Sequence, residues 1–296
     1  MLPGRRTADG ALFVTQGPPP AGTPLVGGIA VRADGTIYVS QAFTPPFSPL
    51  DLFASGEQGA WYDPSDLTTM FQDSAGTTPV TADGQPVGLI RDKSGRNNHA
   101  SQATAAKRPL YKTSGGLHWL QFDGVDDGLS TAAIDFTATD KMSLFSGTKR
   151  TTVYPQSVVV ELNNINDGNS FVHFARGTSD NVVQYGVHSS GAYELQDYTD
   201  SPPPSTAVWS AQMDRAAASG NLISIRKNGT AGGSNSRADP ITGNFMSGPL
   251  HVGSRDTALS MTGNIYSIIV LGRLATTQEI TDTETWVAAK TGVTLP

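Results

Sequence analysis

The chain has 296 residues and 31.1 kDa, with no cysteine, 16% charged residues, a net charge of −6 and a pI near 5.3. That balance argues against a basic phosphate-binding surface and so against nucleic-acid binding, and it leaves no disulfide, thiolate metal site or cysteine nucleophile. No apolar run approaches the ~20 residues of a membrane helix, and the first residues lack the apolar stretch of a secretory signal, so a protein acting outside a cell would leave by a route such as lysis.

Glycine (32), proline (19) and a hydrophobic content of 38% suit many short strands joined by turns. The first part of the chain carries an internal repeat. DGALFVTQ, Asp9 to Gln16, returns as DGTIYVSQ, Asp34 to Gln41. Each copy is an Asp-Gly turn feeding a strand, and each strand runs into prolines (Pro18 to Pro20, then Pro45 and Pro46), which cannot donate to a ladder. Two units of this size build no core of their own, so residues 1–54 read as an extended arm that adds strands to another protein's surface.

From Ser55 the texture is that of a folded domain, residues 55–296. WYDPSD (Trp61 to Asp66) ends an aromatic strand, and Leu67, Met70 and Phe71 have the spacing of a short helix, with Asp63 and Ser65 as caps. LQFDGVDDGLS, Leu120 to Ser130, reads as a buried strand entering a tight turn. Further strands are expected over 157–162, 170–175, 182–187, 193–198, 207–213, 223–227 and 263–271. Ser189 to Gly191 reads as a hairpin tip. Asn228-Gly229 reads as a type I′ hairpin turn, because both central positions need positive φ. Thr276 with Glu279 forms a capping box for a final helix, which Gly292 stops.

Three stretches carry a resemblance: LQFDGVDDGLS, the D-x-S-G-x-x-N-H-A loop from Asp92 to Ala100, and the ending from LHVGSR (Leu250 to Arg255) through Trp286, Lys290 and Gly292. Together they resemble the concanavalin A-like lectin/glucanase superfamily in its laminin-G-type branch, and with WYDPSD they look most like the sandwich domains of tailed-phage virion proteins. The resemblance implies an all-β, two-sheet antiparallel jelly-roll sandwich with an extended N-terminal arm and a short C-terminal helix. It also implies a virion structural protein of a phage or gene transfer agent: a head or tail spike, fibre or decoration component on the particle surface. Its expected partners are other virion proteins through the arm, host cell-surface glycan through the jelly roll, and further copies of itself as a homo-oligomer. The alternatives are a polysaccharide-degrading hydrolase and an inert spacer.

Chemistry points to binding. Retaining glycosidases need two carboxyl groups about 5–5.5 Å apart, and none of the five glutamates, Glu57, Glu161, Glu194, Glu279 and Glu284, stands in a same-face strand pair. There is no G-x-S-x-G elbow, P-loop or dinucleotide fingerprint, and the five histidines lack ligand spacing. The chain therefore reads as a non-enzyme with no required cofactor. The histidine spacing gives no zinc site, and calcium held across strands by Asp92, Asp123, Asp126 and Asp127 is the alternative; the NNINDGN loop does not fit an EF-hand, since Ile165 and Phe174 fall at ligand positions. The best-stocked binding candidate is the 185–198 hairpin, with Tyr193 and Tyr198 as stacking platforms and His188 and Asp197 as hydrogen-bonding groups.

Overall fold

The computed structural model describes residues 4–6, 12–14, 28–31, 37–40, 46–152, 156–164, 168–176, 181–189, 192–217, 222–235, 241–255 and 258–296. The chain divides into two compact units, Met1–Pro46 and Phe47–Pro296.

In the first unit both repeat strands form, as Leu12–Val14 and Ile37–Ser40. Each pairs antiparallel with a strand just before it, Gly4–Arg6 and Gly28–Val31 respectively, so the repeat is a pair of hairpins. Their Asp-Gly turns lie outside the described residues.

The second unit is a two-sheet antiparallel sandwich with one helix at its C-terminal end. One sheet runs Thr230–Asn235, Ile223–Lys227, Ser205–Asp214, Lys141–Arg150, Thr262–Leu271, Leu117–Asp123, Leu110–Ser114. Its central strand Thr262–Leu271 is long enough to pair Leu117–Asp123 along its first half and Gly59–Tyr62 along its second. The other sheet has nine strands: Ala192–Thr199, Val182–Ser189, Phe171–Arg176, Gln156–Leu162, Leu250–Val252, Leu129–Ser130, Ala100–Ser101, Leu89–Ile90, Met70–Phe71. Alternate residues of both sheets, among them Phe122, Leu144, Val160, Phe171, Trp209 and Ile268, fill one core between them.

The turn chemistry explains the corners. Asn228 and Gly229 take φ of 48° and 80°, as a type I′ turn requires. Gly124 in the FDG turn takes φ 83°, and a Cβ there would stand 1.9 Å from Thr262 Oγ1, so only glycine fits. Asp92 of the D-x-S-G loop accepts from the amides of Trp61, Ser94 and Asn98 at 2.8–3.0 Å. That aspartate ties the Gly59–Tyr62 strand to the loop.

Two elements differ from the sequence reading. Leu67–Thr69 is a single 3₁₀ turn capped by Asp66, and Met70 and Phe71 are strand residues. Pairing with Leu89–Ile90 at the sheet edge overrides the local helical spacing, since a ladder supplies hydrogen bonds that one helical turn cannot. The 3₁₀ turn Pro49–Phe53, read with the arm, belongs to the sandwich unit: Leu52 and Phe53 are buried with Trp61, Phe145 and Ile269.

The helix Thr277–Thr291 has the expected reciprocal capping box of Thr276 and Glu279 and a left-handed Gly292 at its end. It lies against the outer face of the first sheet, where Val287 and Ala288 are buried with Val208.

Candidate functional site

The helix covers the outer face of the first sheet, and the outer face of the nine-stranded sheet carries no helix among the described residues. Leu129, Leu250, Val252, Val160 and Leu162 point into the core, so the alternation sends Ser130, His251 and Glu161 outward. The register sets them side by side: Ser130 opposite His251, and His251 opposite Glu161.

The loop after Val252 folds back over part of this face. Arg255 grips Glu161 with two hydrogen bonds, 2.8 and 2.6 Å, and lies 5.7 Å from the Phe174 ring centroid. Leu259 packs on Val158, Val172 and Phe174 beside it. Glu161 is thereby fully buried although its strand position faces out.

Beside this roof the face is open. A cleft of about 230 Å³ is lined by Gln102, Thr104, Lys107, Ser130, His251 and Ser254, with Gly128 and Leu129 at its floor. Its walls are rigidly built. Gln102 donates to Gly128 O (2.8 Å) and accepts from Thr104 N (3.1 Å). Gly128 N donates to Lys107 O (3.1 Å), and Lys107 N donates to Thr104 O (3.0 Å). Arg108 holds the same loop from outside, donating to the carbonyls of Gln102, Ala103 and Gln72 at 2.8–3.0 Å. The cleft therefore presents hydroxyl, amide, imidazole and ammonium groups on a fixed frame, with no Phe, Tyr or Trp ring and no carboxylate in its lining.

The turn leading to Gly128 carries the aspartates. Asp123, Asp126 and Asp127 offer carboxylate oxygens within 4.8 Å of one another. Asp123 accepts from Val125 N (2.8 Å), and Asp127 accepts from Asp123 N (3.1 Å). Burial, then the neighbouring Asp123 charge, pushes the Asp127 carboxyl up to about 6. Asp92, the fourth member of the calcium expectation, stands apart from this trio and is occupied by the backbone amides of its own loop. Only three of the four aspartates come together.

Of the four residues of the expected binding hairpin, the three whose side chains are described, His188, Asp197 and Tyr198, do not converge. His188 is buried, its Nδ1 2.7 Å from Gly168 O. Tyr198 is half-buried and meets Trp209 edge-on, with centroids 5.2 Å apart, on the inner side of its strand. Asp197 is on the opposite face, exposed, and accepts from Gln184 Nε2 (2.5 Å). Tyr193 pairs with His188 in the ladder, and its side chain lies outside the described residues. The cleft residues were missed in the sequence because each looked structural: Ser130 closes LQFDGVDDGLS, and His251 and Ser254 stand in LHVGSR.

No protein-family model and no curated protein sequence matches the chain. Solved structures do. An arabinofuranosidase complexed with arabinofuranosyl-α-1,2-xylobiose is 13% identical, with a TM-score of 0.59, covering 83% of this chain and 65% of that one. The botulinum neurotoxin serotype G binding domain is 12% identical, with a TM-score of 0.52, covering 68% of this chain and 49% of that one. This chain thus spans about half the length of the neurotoxin domain. At such identities the likeness is one of fold: the second unit shares a β-sandwich with these proteins.

Proposed function

We propose that the sandwich is a carbohydrate-binding module whose contact point is the cleft between Lys107, Ser130, His251 and Ser254. The carrying observation is the cleft itself: convergent polar groups on a rigid frame, on the sheet face that the helix leaves open. The likeness in fold to an arabinofuranosidase complexed with an arabinofuranosyl-xylobiose is consistent with a sugar ligand. At about 230 Å³ the cleft is smaller than the ~300–1,000 Å³ of sites that enclose a drug-sized ligand, so it takes one sugar unit or a chain end. Binding without turnover is the reading, because hydrolysis needs a pair of carboxyl groups and the lining supplies none.

The wider role follows the resemblance to phage sandwich domains. In this reading the arm, with its two hairpins, docks each copy on a neighbouring protein of a virion or gene-transfer particle, and the sandwich meets host surface polysaccharide. A small polar cleft gives single-site affinity near the millimolar end, about 4 kcal/mol, and several copies on one particle raise it ~10²–10⁴-fold through effective concentration.

The test is amide chemical-shift mapping of the full chain against a panel of surface polysaccharide fragments. Shifts centred on Ser130 and His251, lost in a Ser130→Ala plus Ser254→Ala variant that keeps its melting temperature, are the expected result. Loss with Tyr193→Ala plus Asp197→Ala instead moves the contact to the hairpin, and release of reducing sugar favours the hydrolase. Particles assembled where the only copy is a chain that starts at Phe47 should lack the protein; normal incorporation ends the docking role of the arm.

A further inference from the structure

We infer that the cleft selects an acidic sugar, a uronate or similarly carboxylated unit, with Lys107 as the residue that reads its charge. This rests on the glycan-binding reading above and names the ligand class for the same site.

The chemistry of the cations around the cleft singles Lys107 out. Arg108 spends its guanidinium on three backbone carbonyls, and Arg255 spends its own on Glu161. Lys107 is half-buried, lines the cleft, and its ammonium makes no ion pair or hydrogen bond among the described residues. Its neighbours cannot neutralise it, because Gln102, Thr104, Ser130, His251 and Ser254 bring no negative charge into the lining. The three loop aspartates precede Gly128, but none of them lines the cleft.

A chain of net charge −6 has thus placed an uncommitted cation in a pocket of hydroxyl and amide groups. The backbone of Lys107 is pinned on both sides, to Thr104 O and by Gly128 N, so the stem of the side chain leaves from a fixed point. A carboxylate there gains a charge-assisted hydrogen bond, while the hydroxyls of the same sugar ring match Ser130 and Ser254. With no Phe, Tyr or Trp ring in the lining, affinity comes from polar groups, and the carboxylate is the group with the largest single gain.

The experiment compares a galacturonate trimer with its methyl-esterified form, which keeps the shape and removes the charge, by chemical-shift titration of the full chain. The acidic trimer should bind about tenfold more tightly at low salt, and the gap should narrow as salt screens it. Lys107→Gln should abolish the gap, and Lys107→Arg should keep most of it. Equal binding of the two trimers at Ser130 and His251 overturns the acidic preference and leaves the carbohydrate reading standing. No binding of either trimer, or of any neutral panel member, overturns both. A preference that survives Lys107→Gln, or that needs calcium and vanishes with chelator, moves the charge reading to the aspartate turn and overturns the assignment to Lys107. Inorganic phosphate displacing the trimer at equal concentration would show a simple anion site and overturn the sugar selectivity.

Discussion

The two sheets of the sandwich are roofed differently. Over the first sheet lies a helix of four turns, with Val287 and Ala288 on Val208 and the buried Glu284 carboxylate held by Ser210 (2.5 Å) and Arg226 (2.8 and 3.1 Å). Over the second lies a loop that contributes Arg255 and Leu259 to two of nine strands. A helix satisfies its own backbone and can cover a sheet continuously. A loop must spend its side chains and amides on local anchors, so it covers a patch and leaves a margin. The cleft sits at that margin. The site candidate is therefore where the less regular roof stops.

The sharpest break of this comparison is at the loop roof. Arg255→Met leaves the fully buried Glu161 without its arginine and should cost about 3–5 kcal/mol in urea unfolding. A cost below 1 kcal/mol would mean that the loop is only laid on the sheet.

The helix roof breaks by contact distance. A Cβ on Gly147 would lie 2.5 Å from Thr291 Cγ2 and 3.0 Å from Val287 Cγ1, so Gly147→Ala should lift the helix and cost about 1–3 kcal/mol. The matching change on the other sheet, Gly186→Ala, meets the tip of Leu195 at 2.6 Å. That side chain is exposed, and the next atom, Val172 Cγ1, stands at 3.2 Å, so the cost should stay within about 1 kcal/mol. Equal costs would remove the distinction between a packed roof and an open face.

Next comes the helix start. Thr276→Ala removes the hydroxyl that accepts from Glu279 N and should cost about 0.5–2 kcal/mol, read from the same unfolding curves. Its effect should add to that of Arg255→Met, because the two roofs share no partner.

The aspartate turn adds a pH dependence. Asp127 has a native value of about 6 against an ordinary 3.8, so the native state holds more protons between roughly pH 4 and 6. Stability from this group is full below that window and is lost as pH rises through it. Asp127→Asn should raise the melting temperature at pH 7 and change nothing near pH 3. His173 has the opposite slope: burial, helped by Arg150, holds its imidazole down to about 3, so acidification below 6.5 costs stability. The Asp127→Asn effect is therefore read as a difference from the unmodified protein at each pH. No upward shift at pH 7 would mean that the aspartate turn is not strained by its own charge.

Local patterns in the sequence carried most of the architecture. The strands at 156–162, 205–214 and 262–271, the Asn228-Gly229 turn and the Thr276–Gly292 caps each depend on residues within one element, so alternation and turn chemistry foretell them. Met70 and Phe71 escaped because their fate depends on a partner strand about twenty residues away. The site escaped for the same reason on a larger scale. Tyr198 is a good platform in one dimension, and only the arrival of Trp209 turns it into packing. Lys107, Ser130, His251 and Ser254 come from three separate stretches that touch because Ala100–Ser101, Leu129–Ser130 and Leu250–Val252 pair in register. Composition and turn signals thus determined by themselves a chain of many short strands with a capped final helix, and the two-sheet sandwich was what the family resemblance implied. Which polar residues share a cleft was decided by long-range strand pairing, which no local pattern encodes.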